Sequence, residues 1–329
     1  MKQIKDCARS RTFNLSFFLR LTVLVFSFWL LGRSVELDKL MIILFTIPWQ
    51  VTIAAISIVF FRFYLAALRW KLLSPSATGL ATWQLIRLLF VASALSLFLP
   101  GVAGADVARS ILVTREVKSE AGGAFLSVFF DRLIGLFSIV VLGLIACVLA
   151  SHLENRVYYG GLFSLTGLAM VLLVLISRME NLHQTVKSWV EFFGAPGRWL
   201  AVHMEKVIDA LSRYRPEKSR IMLSFLLCIP IHGLWFVMVY MVSQAIGVQI
   251  GFSTLSIITS LVWVITVAPV SIAGFGVREL SFVYLMSFEG VVGEQTAVIA
   301  LFQSLMVVLT GTVGLFFVLV GKTNTKRSS

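Results

Sequence analysis

The sequence predicts an all-α integral membrane protein, a polytopic helix bundle with two re-entrant broken-helix blocks in an inverted repeat. Hydrophobic residues make up 58% of the 329 positions and charged residues only 13%, whereas soluble domains carry about 25% charged residues. The apolar residues form runs long enough for membrane helices, which need about 20 residues each. They lack the strict alternation of transmembrane β-strands, so the predicted spans are helical.

Six of these runs predict complete membrane spans within a single domain, 1–329. They lie approximately at 15–34, 41–61, 126–150, 158–177, 221–246 and 296–320. Two further blocks, 83–118 and 253–289, each contain an apolar run that ends in a proline, a glycine-rich stretch and an arginine. The polar segment 178–220 mixes apolar and charged residues at roughly helical spacing, which predicts amphipathic helices on the membrane surface.

The distribution of basic residues predicts the orientation of the bundle. Five Lys and Arg lie in the first 20 residues and eight in 178–220, whereas 247–252 and 289–295 contain none. Because basic loops stay on the cytoplasmic side, both termini and 178–220 are predicted to be cytoplasmic, in a multi-pass protein of the inner cell membrane.

This orientation places both ends of block 83–118 on the cytoplasmic side and both ends of block 253–289 outside. Each block would therefore enter the membrane and return, from opposite faces. The repeat units would be 41–61 with 83–118 and 126–150, and 221–246 with 253–289 and 296–320. Inverted repeats with broken helices are typical of transporters.

Two related motifs follow the prolines in these blocks. The first is LPGVAGADVAR at 99–109, and the second is APVSIAGFGVRE at 268–279. In both, arginine follows proline by nine residues. The residues predicted to form the broken backbone are Pro100, Gly101, Gly104, Pro269, Gly274 and Gly276. Broken backbone inside a membrane is tolerated only where protein or a watery cavity satisfies its polar groups, so the motifs predict a binding site.

The arginines of the two motifs are the predicted ligand-binding groups. Arg109 and Arg278 offer planar guanidinium forks that suit the anionic head group of a lipid. Asp106 and Glu279 are predicted to orient them, and Asp131 with Arg132 forms a third charged pair. The alternative is that these pairs are interfacial salt bridges that only fix the topology. Arg69 and Trp70 are interpreted as an anchor at the membrane interface, where both residue types are common.

Other classes of protein find little support in the sequence. The net charge is +12, but Lys and Arg lie between apolar runs, which argues against a nucleic-acid partner. Cysteine and histidine show no metal-ligand spacing. We found no zinc-protease motif, P-loop or nucleophile elbow. The sequence therefore predicts no catalytic residue, no metal and no cofactor.

The ordered set of motifs resembles the lysylphosphatidylglycerol synthase transmembrane-region family, also called flippase-like proteins. The matching residues are Arg69-Trp70, the run 99–109, Asp131-Arg132-Leu133 and the run 274–279. Ala105 replaces one of the paired glycines that usually precede the aspartate. In bifunctional members, the resemblance implies a flippase for aminoacylated phosphatidylglycerol joined to a soluble domain that makes this lipid. The 329 residues are expected to be a stand-alone member without that domain.

The predicted function is therefore a lipid flippase or transporter for an anionic or lipid-linked amphiphile. The alternative is a non-catalytic accessory subunit of a cell-envelope lipid or glycan synthesis system, with 178–220 as its docking surface. A membrane glycosyltransferase is the least supported class, because the predicted external loops are too short for an active site. The expected partners are a membrane lipid or lipid-linked substrate and, under the alternative, a cell-envelope synthesis enzyme.

Overall fold

A computed structural model describes most of the helical bundle. The described residues are 36–74, 79–97, 103–117, 121–150, 155–176, 217–267, 271, 273–291 and 293–325, with isolated positions at 22, 25–27, 29 and 32–33. The predicted first span and residues 178–216 of the predicted surface segment therefore lie almost entirely outside the described residues.

Within this described part, ten continuous helices make up the fold. They are α1 Leu37–Thr46, α2 Trp49–Leu73, α3 Thr82–Ser96, α4 Ala103–Val117, α5 Ala121–Leu149, α6 Arg156–Ile176, α7 Lys218–Ala245, α8 Phe252–Thr266, α9 Val277–Ser287 and α10 Gly293–Thr325. The all-helical fold class is confirmed.

Four of the described helices are long and apolar enough to cross a membrane. They are α2, α7 and the sections Phe125–Leu149 of α5 and Gly293–Val320 of α10. The last three correspond closely to the predicted spans at 126–150, 221–246 and 296–320. Helix α6, Arg156–Ile176, corresponds to the predicted span at 158–177.

The predicted span 41–61 differs from the structure at both ends. Helix α1 ends at Thr46, Pro48 is the N-cap of α2, and α2 continues to Leu73. Proline has no N–H to donate, which the first turn of a helix does not need, so it suits the start of α2. At the other end, α2 continues past Arg62 and Arg69, because acceptors on other helices form hydrogen bonds with their guanidinium groups. Arg62 donates to the Ile231 carbonyl of α7, and Arg69 donates to Asp131 of α5.

Each predicted block contains two helices separated by a break, and Pro100, Gly101 and Pro269 lie outside the described residues. Helices α3 and α4 flank the first break, and α8 and α9 flank the second. The second is longer and contains a turn with positive φ at Ala273, Gly274 and Gly276, where glycine carries no steric penalty. Consequently Arg109 lies in the second turn of α4, but Arg278 lies in the first turn of α9. Entry of the blocks from opposite membrane faces stays a prediction.

The helices pack in a reciprocal pattern. The two long helices α2 and α7 pack against each other, α3 packs against α10, and α8 packs against α5. Helix α4 contacts α3 and α5 in the same way that α9 contacts α8 and α10. The largest hydrophobic core lies mainly among α2, α7, α8 and α10, with residues such as Val59, Val239, Ile258 and Ile299. Charged groups of α2, α4 and α5 lie outside this apolar core.

Close contact between α3 and α10 depends on glycines of α10. A Cβ atom added at Gly314 would overlap the carbonyl group of Phe90, and one at Gly311 would overlap the Leu97 side chain. Because the Phe90 backbone cannot move without shifting α3, we expect Gly314→Ala to lower the free energy of unfolding by about 1–3 kcal/mol. Thermal unfolding of the detergent-purified chain measures this effect.

Gly161→Ala is the matched control for this substitution. Gly161 lies in α6, and nothing is within 4 Å of a Cβ atom added there. Alanine favours a helix more than glycine by about 1 kcal/mol, so this variant should be as stable as the parent or more stable. Equal unfolding midpoints for the two variants would contradict the packing role of Gly314.

Candidate functional site

Five charged side chains from three helices form an arginine–aspartate cluster: Arg69, Asp106, Arg109, Asp131 and Arg132. Asp131 of α5 is its centre. Its Oδ1 accepts a hydrogen bond from Arg69 Nε at 2.8 Å, and its Oδ2 accepts bonds from Arg69 Nη2 and Arg109 Nη1, both at 3.0 Å. The Asp131 side chain is only 2% exposed, so the cluster is built around a buried carboxylate.

The other aspartate gives the cluster a more open end. Asp106 of α4 pairs with Arg132 of α5, and its carboxylate is 3.9 Å from Nη1 of Arg109 on the next turn of α4. The side chains of Asp106 and Arg132 are 21% and 26% exposed. The cluster therefore extends from a buried end at Asp131 to an accessible end at Arg132.

Trp70 and Cys228 form walls of the cluster. The Arg109 guanidinium carbon is 4.3 Å from the centre of the Trp70 ring, within the range of a cation–π interaction. Arg69 Nη1 donates to the Cys228 thiol at 3.1 Å. Trp70 is completely buried, so the interpretation of Arg69 and Trp70 as an interface anchor is wrong. The sequence signal that could have identified them is Asp131 within the predicted span 126–150, because carboxylates inside membranes usually pair with cations of the bundle.

The guanidinium groups of the cluster differ in how many donors they use. Arg69 donates from all three of its nitrogens. Among the described residues, Arg109 donates only from Nη1, and its buried Nε has no partner. Arg132 likewise donates only from Nη1 among the described residues. Three arginines and two aspartates leave one net positive charge, and the unused donors lie on Arg109 and Arg132.

The second motif forms a separate buried polar group. Arg278 donates from Nη2 to the Ala273 carbonyl at 3.2 Å and from Nη1 to the Ser304 hydroxyl at 3.4 Å. Glu279 Oε2 accepts the Gly276 N–H at 2.5 Å, while Oε1 accepts the Ser304 hydroxyl. Glu279 therefore caps the N-terminus of α9 and fixes its position relative to α10, and Ser304 connects the two charged side chains.

Glu279 was expected to orient Arg278, but the two side chains are connected only through Ser304 among the described residues. Their charged atoms form no ion pair within 4.0 Å among the described residues, because consecutive residues of a helix do not face each other. For the same reason, Asp131 and Arg132 each pair with other helices. In the described part of the chain, no hydrogen bond or ion pair joins Arg278 to the cluster.

The described residues contain no group of three His, Cys, Asp or Glu side chains that could hold a metal ion. The arginine–aspartate cluster offers charge pairing and hydrogen bonding from arginine. An anion with several oxygen atoms matches the unused N–H groups of Arg109 and Arg132, because charge-assisted bonds from guanidinium to carboxylate or phosphate are strong and directional.

Comparison with known proteins places this arrangement in a family. The family model described as the lysylphosphatidylglycerol synthase TM region matches residues 17–314. No curated protein and no solved structure gave a significant match. The matched range includes the arginine–aspartate cluster and the Arg278 motif. This multi-pass membrane protein therefore belongs to the lysylphosphatidylglycerol synthase transmembrane-region family, which is the membrane part of such synthases and not their catalytic domain.

Proposed function

We propose that this protein is a lipid flippase or lipid transporter for an anionic or lipid-linked amphiphile of the cytoplasmic membrane. The unused donors of Arg109 and Arg132, beside one net positive charge, are the observation that supports this function most directly. The anionic head group binds at the arginine–aspartate cluster, and the acyl or isoprenoid tails remain in the bilayer. Arg278, on the other half of the bundle, contributes to binding of the head group there.

A structural role alone would use fewer cations. Two arginines would neutralise the two aspartates, and charged groups inside membrane proteins are expensive and usually functional. Arg109 is positioned by both Asp131 and the Trp70 ring, so its free edge is fixed before a ligand arrives. The 26% exposure of Arg132 gives a head group access to the cluster.

The reciprocal helix packing supports transport by an alternating-access movement. Exchanging α2–α5 with α7–α10 maps the α3–α10 contact onto the α8–α5 contact and retains the α2–α7 contact. Rocking of two such halves around a fixed site is a common transporter mechanism. The head-group site at the first half would then face each side of the membrane in turn.

Lipid translocation by the reconstituted chain tests this proposal. In phosphatidylglycerol-containing proteoliposomes, Arg109→Lys and Arg132→Lys should each weaken head-group binding about tenfold or more and so slow translocation. The reason is that lysine offers a point charge in place of a planar fork. The loss corresponds to one charge-assisted contact, about 1.5–3 kcal/mol. Translocation is measured from the accessibility of a fluorescent head-group analogue to a membrane-impermeant quencher.

Arg87→Lys is the control for both substitutions. Arg87 pairs with Glu116 at 3.1 Å, and both side chains are at least 40% exposed, so this variant should transport at the parent rate. Translocation by Arg109→Lys and Arg132→Lys at that same rate would reject the head-group role.

The proposed inverted topology is tested by cysteine labelling in a background in which Cys7, Cys147 and Cys228 are replaced. Ser119→Cys should react with an impermeant maleimide only from the cytoplasm, and Phe288→Cys only from outside. Phe288 is exposed and has a helical φ of −69°, so cysteine fits there without strain. Reaction of both positions from the same face would reject the inverted repeat.

A further inference from the structure

Arg62, outside the arginine–aspartate cluster, enters the bundle near the middle of a membrane span. Arg62 lies 13 residues after the start of α2 and 11 residues before its end, which places it about 20 Å and 16 Å from the two ends. Arg69 follows two helical turns later on the same face of α2, about 10 Å along the axis. A cation at this depth of a membrane is energetically costly, and such residues usually serve a function.

The contacts of Arg62 position it without neutralising it. Its Nε donates to the Ile231 carbonyl at 2.6 Å, and its guanidinium carbon is 4.4 Å from the centre of the Trp235 ring. Trp235 is itself fixed, because its Nε1 donates to Gln303 of α10 at 3.1 Å. Among the described residues, Asp106 and Asp131 pair with Arg69, Arg109 and Arg132, and no carboxylate pairs with Arg62.

The free part of Arg62 is its Nη1–Nη2 edge, which can bind an oxyanion with two N–H groups. One face of the guanidinium covers the Trp235 ring, and the Nε edge is used by Ile231. Nη1 and Nη2 form no hydrogen bond with the described residues. Both nitrogens also retain some accessible surface, since neither belongs to the fully buried polar atoms without a partner. These two nitrogens together present the parallel N–H pair that binds phosphate in a bidentate manner.

A neighbouring histidine provides a second, independent observation. His232 is 8% exposed, and its Nε2 is buried without a partner among the described residues. His232 directly follows Ile231 in α7, whose carbonyl accepts the hydrogen bond from Arg62. A buried polar atom without a hydrogen bond is uncommon and calls for a missing ligand or water. Together with the cluster, Arg62 raises the net charge of this region to +2.

We infer that Arg62 is a second phosphate-binding station, between α2 and α7, two helical turns from the arginine–aspartate cluster. Its ligand is the phosphate group of an anionic membrane amphiphile. The inference deepens the proposed function and rests on the proposed lipid cargo. The head group would pass between Arg109 and Arg132 at one station and Arg62 at the other, with Trp235 and the Ile231 carbonyl holding the guanidinium in place.

Calorimetric titration of the purified full chain, in a neutral detergent, tests this station. The probe is phosphatidylglycerol with six-carbon chains, and inorganic phosphate is titrated in a parallel arm. In an Arg109→Lys/Arg132→Lys background, the remaining phosphatidylglycerol binding should weaken about tenfold with Arg62→Lys and be lost with Arg62→Met. Arg87→Met, the same change at an exposed arginine, should have no effect.

The outcomes separate this station from the proposed function. Unchanged binding in Arg62→Lys would overturn the station even if Arg62→Met does not fold, and translocation that still depends on Arg109 would leave the proposed function standing. Binding that depends on Arg62 but not on Arg109 or Arg132 would support the station and reject the cluster as the head-group site. Binding of inorganic phosphate alone would overturn the lipid assignment.

Discussion

Replacing Asp131 with asparagine is expected to lower the free energy of unfolding by about 3–5 kcal/mol, because it removes the counter-ion of two buried arginines. Asp131 accepts bonds from Arg69 and Arg109 at 2.8–3.0 Å, and these three side chains are at most 12% exposed. The cluster would change from three cations and two anions to three cations and one. Thermal unfolding of the purified chain in detergent measures the loss.

Asp106→Asn is the matched comparison for Asp131→Asn. Asp106 is 21% exposed and has one close partner, Arg132, and ion pairs that reach solvent contribute about 1 kcal/mol or less. We therefore expect a much smaller loss of stability. Equal losses in the two variants would show that Asp131 is not the structural centre of the cluster.

A double-mutant cycle adds a direct measure of the Asp131 contact. Arg69→Gln combined with Asp131→Asn should destabilise less than the sum of the single changes, by about 0.5–3 kcal/mol. The reason is that either single change leaves one charged group buried without its partner. Strict additivity would mean that the observed bidentate geometry has no energetic consequence.

The helices and their breaks could be predicted from the sequence because they depend on local properties. The length of an apolar run decides whether it can span a membrane, and proline is tolerated at the start of a helix but costly in its interior, although α7 contains Pro230. The same local reasoning failed at α2. Arg62 and Arg69 were expected to lie beyond the span. In the structure Arg62 donates to the Ile231 carbonyl, 169 residues away along the chain, and Arg69 donates to Asp131, 62 residues away.

Which charges share a site could be predicted only in part. Asp106, Arg109, Asp131 and Arg132 were singled out, and the structure brings them together. The pairing within this group depends on how α4 and α5 face each other, and spacing along one helix does not determine that. The equal distance from proline to arginine in the two motifs also did not give equal positions, because the turn at 273–276 delays the start of α9.

Exchanging Arg278 and Glu279 is expected to lower the free energy of unfolding by about 2–4 kcal/mol, since the two side chains have different partners. Glutamate at position 279 caps α9 through the Gly276 N–H, and loss of a cap costs about 1 kcal/mol. A carboxylate at position 278 would face the Ala273 carbonyl, which now accepts a bond from Arg278, leaving buried polar groups unsatisfied at about 1–3 kcal/mol each.

The exchange of Asp106 with Arg132 is the matched control for that double substitution. These two residues lie on neighbouring helices and pair directly, in a part of the cluster that reaches accessible surface. The exchanged side chains can form the same pair in the opposite direction, so we expect stability within about 1 kcal/mol of the parent. Both exchanges retain net charge and composition, and thermal unfolding compares them directly. If the Arg278–Glu279 exchange were equally well tolerated, these two residues would be interchangeable ion-pair partners, and the capping and bridging roles assigned to Glu279 and Ser304 would have to be rejected.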